Sequence, residues 1–129
     1  MKIAAAALLA LALTGCAGRG SLEERETSAL ERQLAERTAG EPRRCVSRIG
    51  SVSLNAVDNR TVVYDTAGTL YVSRLRAACP GLRPDSTIVV EVHGGEYCAN
   101  DRIRALEPGN RIPGPICLLG EFTPYRARR

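Results

Sequence analysis

The fold is decided by one stretch, Thr61-Val62-Val63-Tyr64-Asp65-Thr66-Ala67-Gly68-Thr69-Leu70-Tyr71-Val72-Ser73. Both of its ends are rich in β-branched and aromatic residues, which favour extended strands. Between them lies a turn signal, Asp65-Thr66-Ala67-Gly68, in which Gly68 can adopt a left-handed conformation at little cost. The stretch therefore predicts an antiparallel hairpin.

Further strands are predicted on both sides of this hairpin. Alternating or β-branched segments occur at 51–56, 87–92 and 102–106, and a short edge segment follows at 117–119. Turn signals such as Pro80-Gly81 and Pro84-Asp85 separate them, and nothing after Pro42 has the pattern of a long helix. These features predict an all-β domain over 42–129, a small antiparallel meander or barrel of five to six strands.

The beginning of the chain is typical of a secretory signal peptide over residues 1–15. Lys2 precedes an apolar run at 3–13, which is shorter than the roughly 20 residues that span a bilayer. The run ends in Leu13-Thr14-Gly15-Cys16, which resembles the lipobox of bacterial lipoproteins. That resemblance implies cleavage before Cys16 and a diacylglyceryl group on its sulfur, and several acyl chains together give stable membrane anchoring.

The signal peptide and the lipobox-like motif together predict a location in the bacterial cell envelope. Ala17 directly after Cys16 resembles lipoproteins directed to the outer membrane, so we expect a lipid-anchored protein that faces the periplasm. The alternatives are an ordinary secretory signal with a chance cysteine and a short buried helix.

A helical tether is expected between the lipidated cysteine and the domain, over 16–41. Ser21-Leu22-Glu23-Glu24 matches a capping box, and helix-forming residues continue to about position 38. Gly40 and Pro42 end the helix. Because its apolar stripe is thin, we expect a mostly solvated spacer. A helix that pairs with itself or with a partner is the alternative.

Charge is distributed unevenly between these two parts. Residues 21–41 carry six acids and three Arg, whereas residues 42–129 carry eight acids and thirteen Arg, which gives net charges of −3 and +5. Every basic residue except Lys2 is Arg. This preference can reflect the codon usage of a GC-rich genome or a need for bidentate anion binding.

Four arginines form the candidate anion-binding site. Arg74 and Arg76, and likewise Arg102 and Arg104, project from one side of a strand at a spacing of two. If the two strands are neighbours, they form an arginine-rich face that suits an anionic envelope component, such as a lipopolysaccharide phosphate, a peptidoglycan carboxylate or an acidic protein surface. A solvated face without a ligand is the alternative, and nucleic acid is not an expected partner behind a lipobox.

The other four cysteines, Cys45, Cys79, Cys98 and Cys117, predict two disulfides. An even number of cysteines in a small exported domain is typical of a disulfide framework. Of the three possible connectivities we favour Cys79–Cys98 with Cys45–Cys117, since these would close a loop and join the start of the domain to its end. Zinc-binding cysteines usually lie two to four residues apart. Here the intervals are 34, 19 and 19, so no metal and no cofactor are expected.

The sequence around these cysteines resembles an uncharacterised family of proteobacterial lipoproteins. The most specific pieces are Cys79-Pro80-Gly81-Leu82 and Cys98-Ala99-Asn100-Asp101-Arg102-Ile103, and the resemblance covers 45–125. It implies export and structural cysteines, and it carries no known activity.

Evidence for catalysis is limited to His93-Gly94-Gly95-Glu96, which is similar to the oxyanion loop of some esterases. The chain lacks a Gly-x-Ser-x-Gly nucleophile elbow, and His93 is its only His. The favoured interpretation of this motif is a tight turn in which two glycines make the bend, and a weak metal or pH-sensing site of His93, Glu96 and Asp101 is the alternative. Asp58 and Asp101 are expected to be turn residues.

No catalytic residue is therefore assigned. The expected function is a non-enzymatic binding or structural module. An inhibitor or accessory factor of an envelope enzyme is the alternative, and a hydrolase that uses His93 is the least favoured interpretation.

Overall fold

The computed structural model describes residues 21–50 and 52–129, which form one helix and ten short strands. In chain order they are α1 (Leu22–Ala35), β1 (Arg37–Ala39), β2 (Cys45–Ser47), β3 (Asn55–Ala56), β4 (Thr61–Thr66), β5 (Thr69–Arg74), β6 (Thr87–Val90), β7 (Glu96–Cys98), β8 (Arg102–Leu106), β9 (Cys117–Leu118) and β10 (Phe122–Ala127). All strand pairs are antiparallel, so the all-β prediction is confirmed. The predicted signal peptide and Cys16 lie outside the described residues. Within those residues, no helix has both the length and the apolar character needed to span a bilayer.

The predicted hairpin is confirmed and forms the centre of the largest sheet. β4 and β5 pair from Thr61 opposite Arg74 to Thr66 opposite Thr69. The two turn residues, Ala67 and Gly68, have φ values of 43° and 86°. Two positive φ angles produce a turn whose twist matches that of the flanking strands. These two residues are therefore sufficient to connect β4 to β5.

Three sheets are present where the sequence predicts one meander of five to six strands. The largest has the order β1-β10-β5-β4-β3, and the others are β2-β7 and β6-β8-β9. No closed barrel forms in the described part of the chain. Of the predicted 51–56 strand, the structure describes residues 52–56, and among these only Asn55–Ala56 are paired. The additional strands are mostly two or three residues long, too short for side-chain alternation to identify them.

β10 is the longest strand that the sequence analysis misses, and it contains Pro124. Proline is normally excluded from interior strands because it lacks a donor N–H. Here the Pro124 carbonyl accepts a bond of 2.7 Å from the Gly40 amide, directly after β1 ends. The N–H and C=O of one strand residue point to the same side. The position at which Pro124 lacks an N–H therefore faces the end of β1. The proline thus removes no hydrogen bond between β10 and β5.

The main core is a cluster of aliphatic and aromatic side chains shared by the three sheets. Tyr64 and Phe122 are its largest fully buried members. The Tyr64 hydroxyl accepts a hydrogen bond from the Ile49 amide at 2.8 Å and donates to the Ser47 carbonyl at 3.3 Å. This phenol therefore joins β4 to the end of β2 and satisfies its own polar atom within the core.

The helix is mostly exposed, as expected, but it packs against the sheet through Leu30 and so differs from a free spacer. The capping box at Ser21 and Glu24 is present. Leu30 is only 6% exposed and lies in a second cluster with Val57, Leu70 and Val72. Leu34, one turn later, packs against the same cluster, so the two leucines of the thin apolar stripe make this contact. Residues 21–39 thus contribute a docked helix and an edge strand to the folded unit.

All four described cysteines form disulfides, as predicted, but the favoured connectivity is wrong. The bonds are Cys45–Cys98 and Cys79–Cys117. Cys45 and Cys98 are direct register partners in the β2–β7 pair. Loop lengths could not reveal this pairing, because strand register brings the two residues together.

Candidate functional site

Two of the four predicted arginines lie together in a surface groove. Arg74 and Arg76 line it with Arg44, and the groove has a volume of about 400 Å³. Asn100 and Glu121 complete its polar wall. We call this site, defined by Arg44, Arg74, Arg76 and Asn100, the arginine groove.

The first wall of the groove is held by the Cys45–Cys98 disulfide. Arg44 directly precedes Cys45, and its carbonyl accepts a bond of 2.7 Å from the Ala99 amide. Asn100 follows in a left-handed conformation, with φ of 72°, and its amide donates to the Leu119 carbonyl at 2.8 Å. A covalent bond and two backbone bonds therefore set the positions of Arg44 and Asn100.

The floor of the groove depends on a close approach at Gly120. A Cβ atom added to Gly120 would overlap the carbonyl oxygen of Arg74. The buried Ser73 hydroxyl donates to the Gly120 carbonyl at 2.9 Å. Because Gly120 has no side chain, the segment before β10 lies directly on the end of β5. Arg74 is the last residue of β5, so this contact sets the position of its backbone.

Arg74 also takes part in a short hydrogen-bond chain. One guanidinium N–H donates to Thr61 Oγ1 at 2.7 Å, and that hydroxyl donates to Asp58 Oδ2 at 3.1 Å. Thr61 is fully buried, so this end of the guanidinium is fixed. A guanidinium has five N–H donors, so the others remain available to a ligand.

A larger cavity of about 680 Å³ lies on the other side of Arg74, between α1 and the 58–61 turn. Its lining includes four carboxylates, from Glu23, Glu24, Glu31 and Asp58. These negative charges disfavour an anionic ligand there. Anion binding is therefore better supported in the arginine groove, whose lining contains three arginines and one acidic residue, Glu121.

Among the residues that the structure describes, the groove arginines form no ion pair. In residues 21–50 and 52–129, the side-chain ion pairs within 4 Å are Arg83–Asp85 and Arg102–Glu91. The charges of Arg44, Arg74 and Arg76 are therefore not matched by close internal carboxylates. Guanidinium groups of this kind suit the bidentate recognition of phosphate or carboxylate.

The other two predicted arginines lie elsewhere, so the four-residue face does not form. Arg102 and Arg104 are on β8, which pairs with β6 and β9, whereas β5 pairs with β4 and β10. The expectation depended on β5 and β8 being neighbours, and this condition is not met. The Arg102 guanidinium lies 3.9 Å from the carboxylate of Glu91, which directly follows β6.

The remaining candidate residues occupy turns or loops. His93 is exposed in the segment that follows β6. Asp58 and Asp101 accept bonds from the Arg60 and Cys98 amides at 2.7 and 2.8 Å, which confirms them as turn residues.

One group of potential metal ligands occurs among the described residues. Atoms of Cys45, Glu96 and Cys98 lie within 4.8 Å of one another. The two cysteines are bonded to each other, so neither offers the thiolate that a metal would need.

Sequence reasoning missed Arg44, Asn100 and Gly120. The missing information was the cysteine connectivity. Had Cys45–Cys98 been chosen, the residues next to these cysteines would have been placed side by side. Gly120 carries no local signal, because its role depends on a backbone that is distant in sequence.

Comparison of the chain with known proteins found a match to one protein family. A family of unknown function, DUF6491, matches residues 1–126. Searches of curated proteins and of solved structures found no match. Since the family match covers nearly the whole chain, this protein belongs to the DUF6491 family.

Proposed function

We propose that this protein is a lipid-anchored, non-enzymatic binding module of the bacterial cell envelope, and that it holds an anionic group in the arginine groove. The observation that carries the proposal is the groove of about 400 Å³ itself, whose lining contains three arginines and one acid, Glu121, and whose arginines form no ion pair within 4 Å in the described part of the chain. The anchor would be Cys16 in its lipobox-like context, with the domain facing the periplasm from the outer membrane.

The rigidity of the groove supports binding. The Cys45–Cys98 bond, the Ala99–Arg44 hydrogen bond and the Arg74–Thr61 bond hold parts of its lining before any ligand arrives. A site that is already ordered loses less conformational entropy on binding. The size suits a phosphate or carboxylate group carried by a larger envelope molecule.

The disulfides support an exported location. Bonds of this kind persist in oxidising compartments, such as the bacterial periplasm, and are rare in the cytosol. The two bonds Cys45–Cys98 and Cys79–Cys117 use every cysteine except Cys16. Cys16 is therefore the cysteine left for a modification of a different kind.

The groove is tested by crosslinking in intact cells, with a photoreactive residue at Glu121 on the groove wall. We expect an adduct in the wild-type background that is lost in the double variant Arg44→Gln/Arg76→Gln. The matched control is Arg126→Gln/Arg128→Gln, which removes the same charge from exposed positions outside the groove lining. The control should keep the adduct. Equal adducts from both double variants would contradict a role for the groove.

The anchor is tested separately by intact mass of the protein extracted from membranes. The expected mass corresponds to a chain that begins at Cys16 and carries attached lipid. An unmodified Cys16 on a chain that retains residues 1–15 would exclude the anchoring proposal, and it would leave the result for the groove unaffected.

A further inference from the structure

A second surface, on the three-stranded sheet β6-β8-β9, exposes aliphatic and cationic side chains together. The inner face of this sheet carries Ile103 and Ala105, which are buried in the main core. Because side chains alternate along a strand, Arg102 and Arg104 point to the outside. Val89 lies opposite Arg104, and Leu118 lies opposite Arg102. We call these four residues the outer sheet face.

The apolar part of this face is open to solvent. Val89 is 40% exposed and Leu118 is 39% exposed. Ile116, just before β9, is also exposed. Ile112 is 76% exposed in the loop that joins β8 to β9, where the Asn110 side chain accepts a bond from its amide. Val89 and Leu118 therefore flank the two arginines on one face of the sheet, and exposed aliphatic side chains on one face indicate a surface that contacts something apolar.

The charged part of the face is cationic and only partly neutralised. Arg102 lies 3.9 Å from Glu91, at the upper limit of an ion pair. Arg104 has an Nε–H that is shielded from solvent and, in the described part of the chain, has no hydrogen-bond partner. A buried donor without an acceptor is unfavourable. Because this Nε–H is shielded, an incoming anionic oxygen would be bound by the Nη groups of the same guanidinium.

We infer that the outer sheet face rests on an anionic lipid surface. Its aliphatic side chains would enter the boundary between headgroups and acyl chains, and its two guanidinium groups would bind lipid phosphates. This is the combination used by amphipathic elements that lie in a membrane interface. The inference goes beyond the arginine groove, and it requires neither that site nor lipid on Cys16.

The composition of the face favours lipid over a protein partner. Its apolar residues are aliphatic, whereas the centres of protein interfaces are enriched in Trp and Tyr. Addition of a strand from another protein at the β9 edge is also disfavoured. Pro113 and Pro115 stand in the loop that leads to β9 and lack the N–H that an extension of such pairing requires. The face, and not the edge, is therefore the available surface.

The experiment uses the absence of Trp from the chain. Leu118→Trp places a single fluorescent reporter on the outer sheet face, and Thr38→Trp places one on the exposed strand β1 of a different sheet. Both are made in the chain that begins at position 16, the form expected after cleavage, with Cys16→Ser, so that neither carries lipid or the apolar run at 3–13. The probe is a vesicle of phosphatidylglycerol with brominated acyl chains.

We expect the emission of Leu118→Trp to shift to the blue and to be quenched by the brominated lipid, while Thr38→Trp stays close to its spectrum in solution. Adding Arg104→Gln should lower the partition coefficient about five-fold, since one cation near an anionic surface contributes that much. Arg126→Gln, on β10, removes the same charge elsewhere and should leave it unchanged.

Several outcomes would overturn the inference. These are an unshifted Leu118→Trp spectrum, equal quenching of the two reporters, equal partitioning to neutral phosphatidylcholine vesicles, and no difference between Arg104→Gln and Arg126→Gln. Val89→Trp, on the neighbouring strand of the same face, serves as the reporter if Leu118→Trp does not fold. None of these results bears on the arginine groove, which is tested through Arg44 and Arg76.

Discussion

Replacement of Gly120 by alanine tests the close approach that forms the floor of the arginine groove. The added methyl group would overlap the Arg74 carbonyl oxygen, which is backbone and cannot move without displacing the end of β5. Overpacking costs about 1–3 kcal/mol. Displacement would also break the buried Ser73–Gly120 hydrogen bond, which contributes about 1 kcal/mol. The expected loss of unfolding free energy is therefore about 3 kcal/mol.

Two other glycines provide matched controls for the same substitution. A Cβ on Gly95 would meet no atom within 4 Å, and its φ is not left-handed. Gly94 also has open space around it, but its φ is +86°. Gly95→Ala should therefore leave stability nearly unchanged, and Gly94→Ala should cost about 1 kcal/mol through backbone strain alone. Only Gly120→Ala combines an acceptable φ with a steric overlap.

Thermal unfolding followed by circular dichroism, with both disulfides intact, measures the three variants. For a domain of this size about 1 kcal/mol corresponds to roughly 4 °C, so Gly120→Ala should lower Tm by roughly 12 °C. The same variant should weaken capture at the arginine groove, because the position of Arg74 changes. A Tm for Gly120→Ala that equals that of Gly95→Ala would show that the two backbones do not meet as described.

Three further predictions concern the helix, the core and the disulfides. Leu30→Ala should lower the free energy of unfolding by about 2–3 kcal/mol in denaturant unfolding, because it empties a buried site. The control, Leu22→Ala, is on the same helix but 43% exposed and should cost under about 1 kcal/mol. Equal losses from the two variants would mean that α1 does not dock. Burial, opposed by a nearby guanidinium, raises the pKa of the Tyr97 hydroxyl above its ordinary value. Because folding favours the neutral form of this hydroxyl, its contribution to the free energy of unfolding is constant below about pH 10 and is lost as the pH rises through the raised pKa. Tyr97→Phe should reduce that alkaline loss in pH-dependent unfolding, and an unchanged alkaline limb would contradict the assignment. Non-reducing peptide mapping should recover Cys45–Cys98 and Cys79–Cys117 as linked fragments. Loss of either bond, with sequence separations of 53 and 38, should cost roughly 4 kcal/mol in the chain-entropy model, and any other linkage would contradict the β2–β7 register.

The features that were predictable from the sequence depend on residues close together in the chain. The Asp65–Gly68 turn with its flanking strands, the Ser21–Glu24 capping box, and the turn roles of Asp58 and Asp101 are all set by contacts within a few residues. Propensity and side-chain hydrogen bonds act over this range, so each feature can be recognised without knowledge of the fold. The even number of cysteines outside Cys16 likewise predicts two disulfides.

The candidate site was only half predictable. Arg74 and Arg76 were identified from strand spacing, but the proposed union with Arg102 and Arg104 required β5 and β8 to be neighbours. β5 pairs with β10 instead, a strand that its proline concealed. Arg44 joins the groove because Cys45 pairs with Cys98, and no local pattern indicates that pairing.

The sequence alone thus determined the β class, the central hairpin, the capped helix and the participation of four cysteines in disulfides. Tertiary structure decided which cysteines pair, which arginines share a groove, and that Leu30 fastens the helix to the sheet. The physical reason is that turns and caps gain their free energy from neighbouring residues. The register between distant strands is instead selected by collective burial of the core, which no single segment of this chain contains.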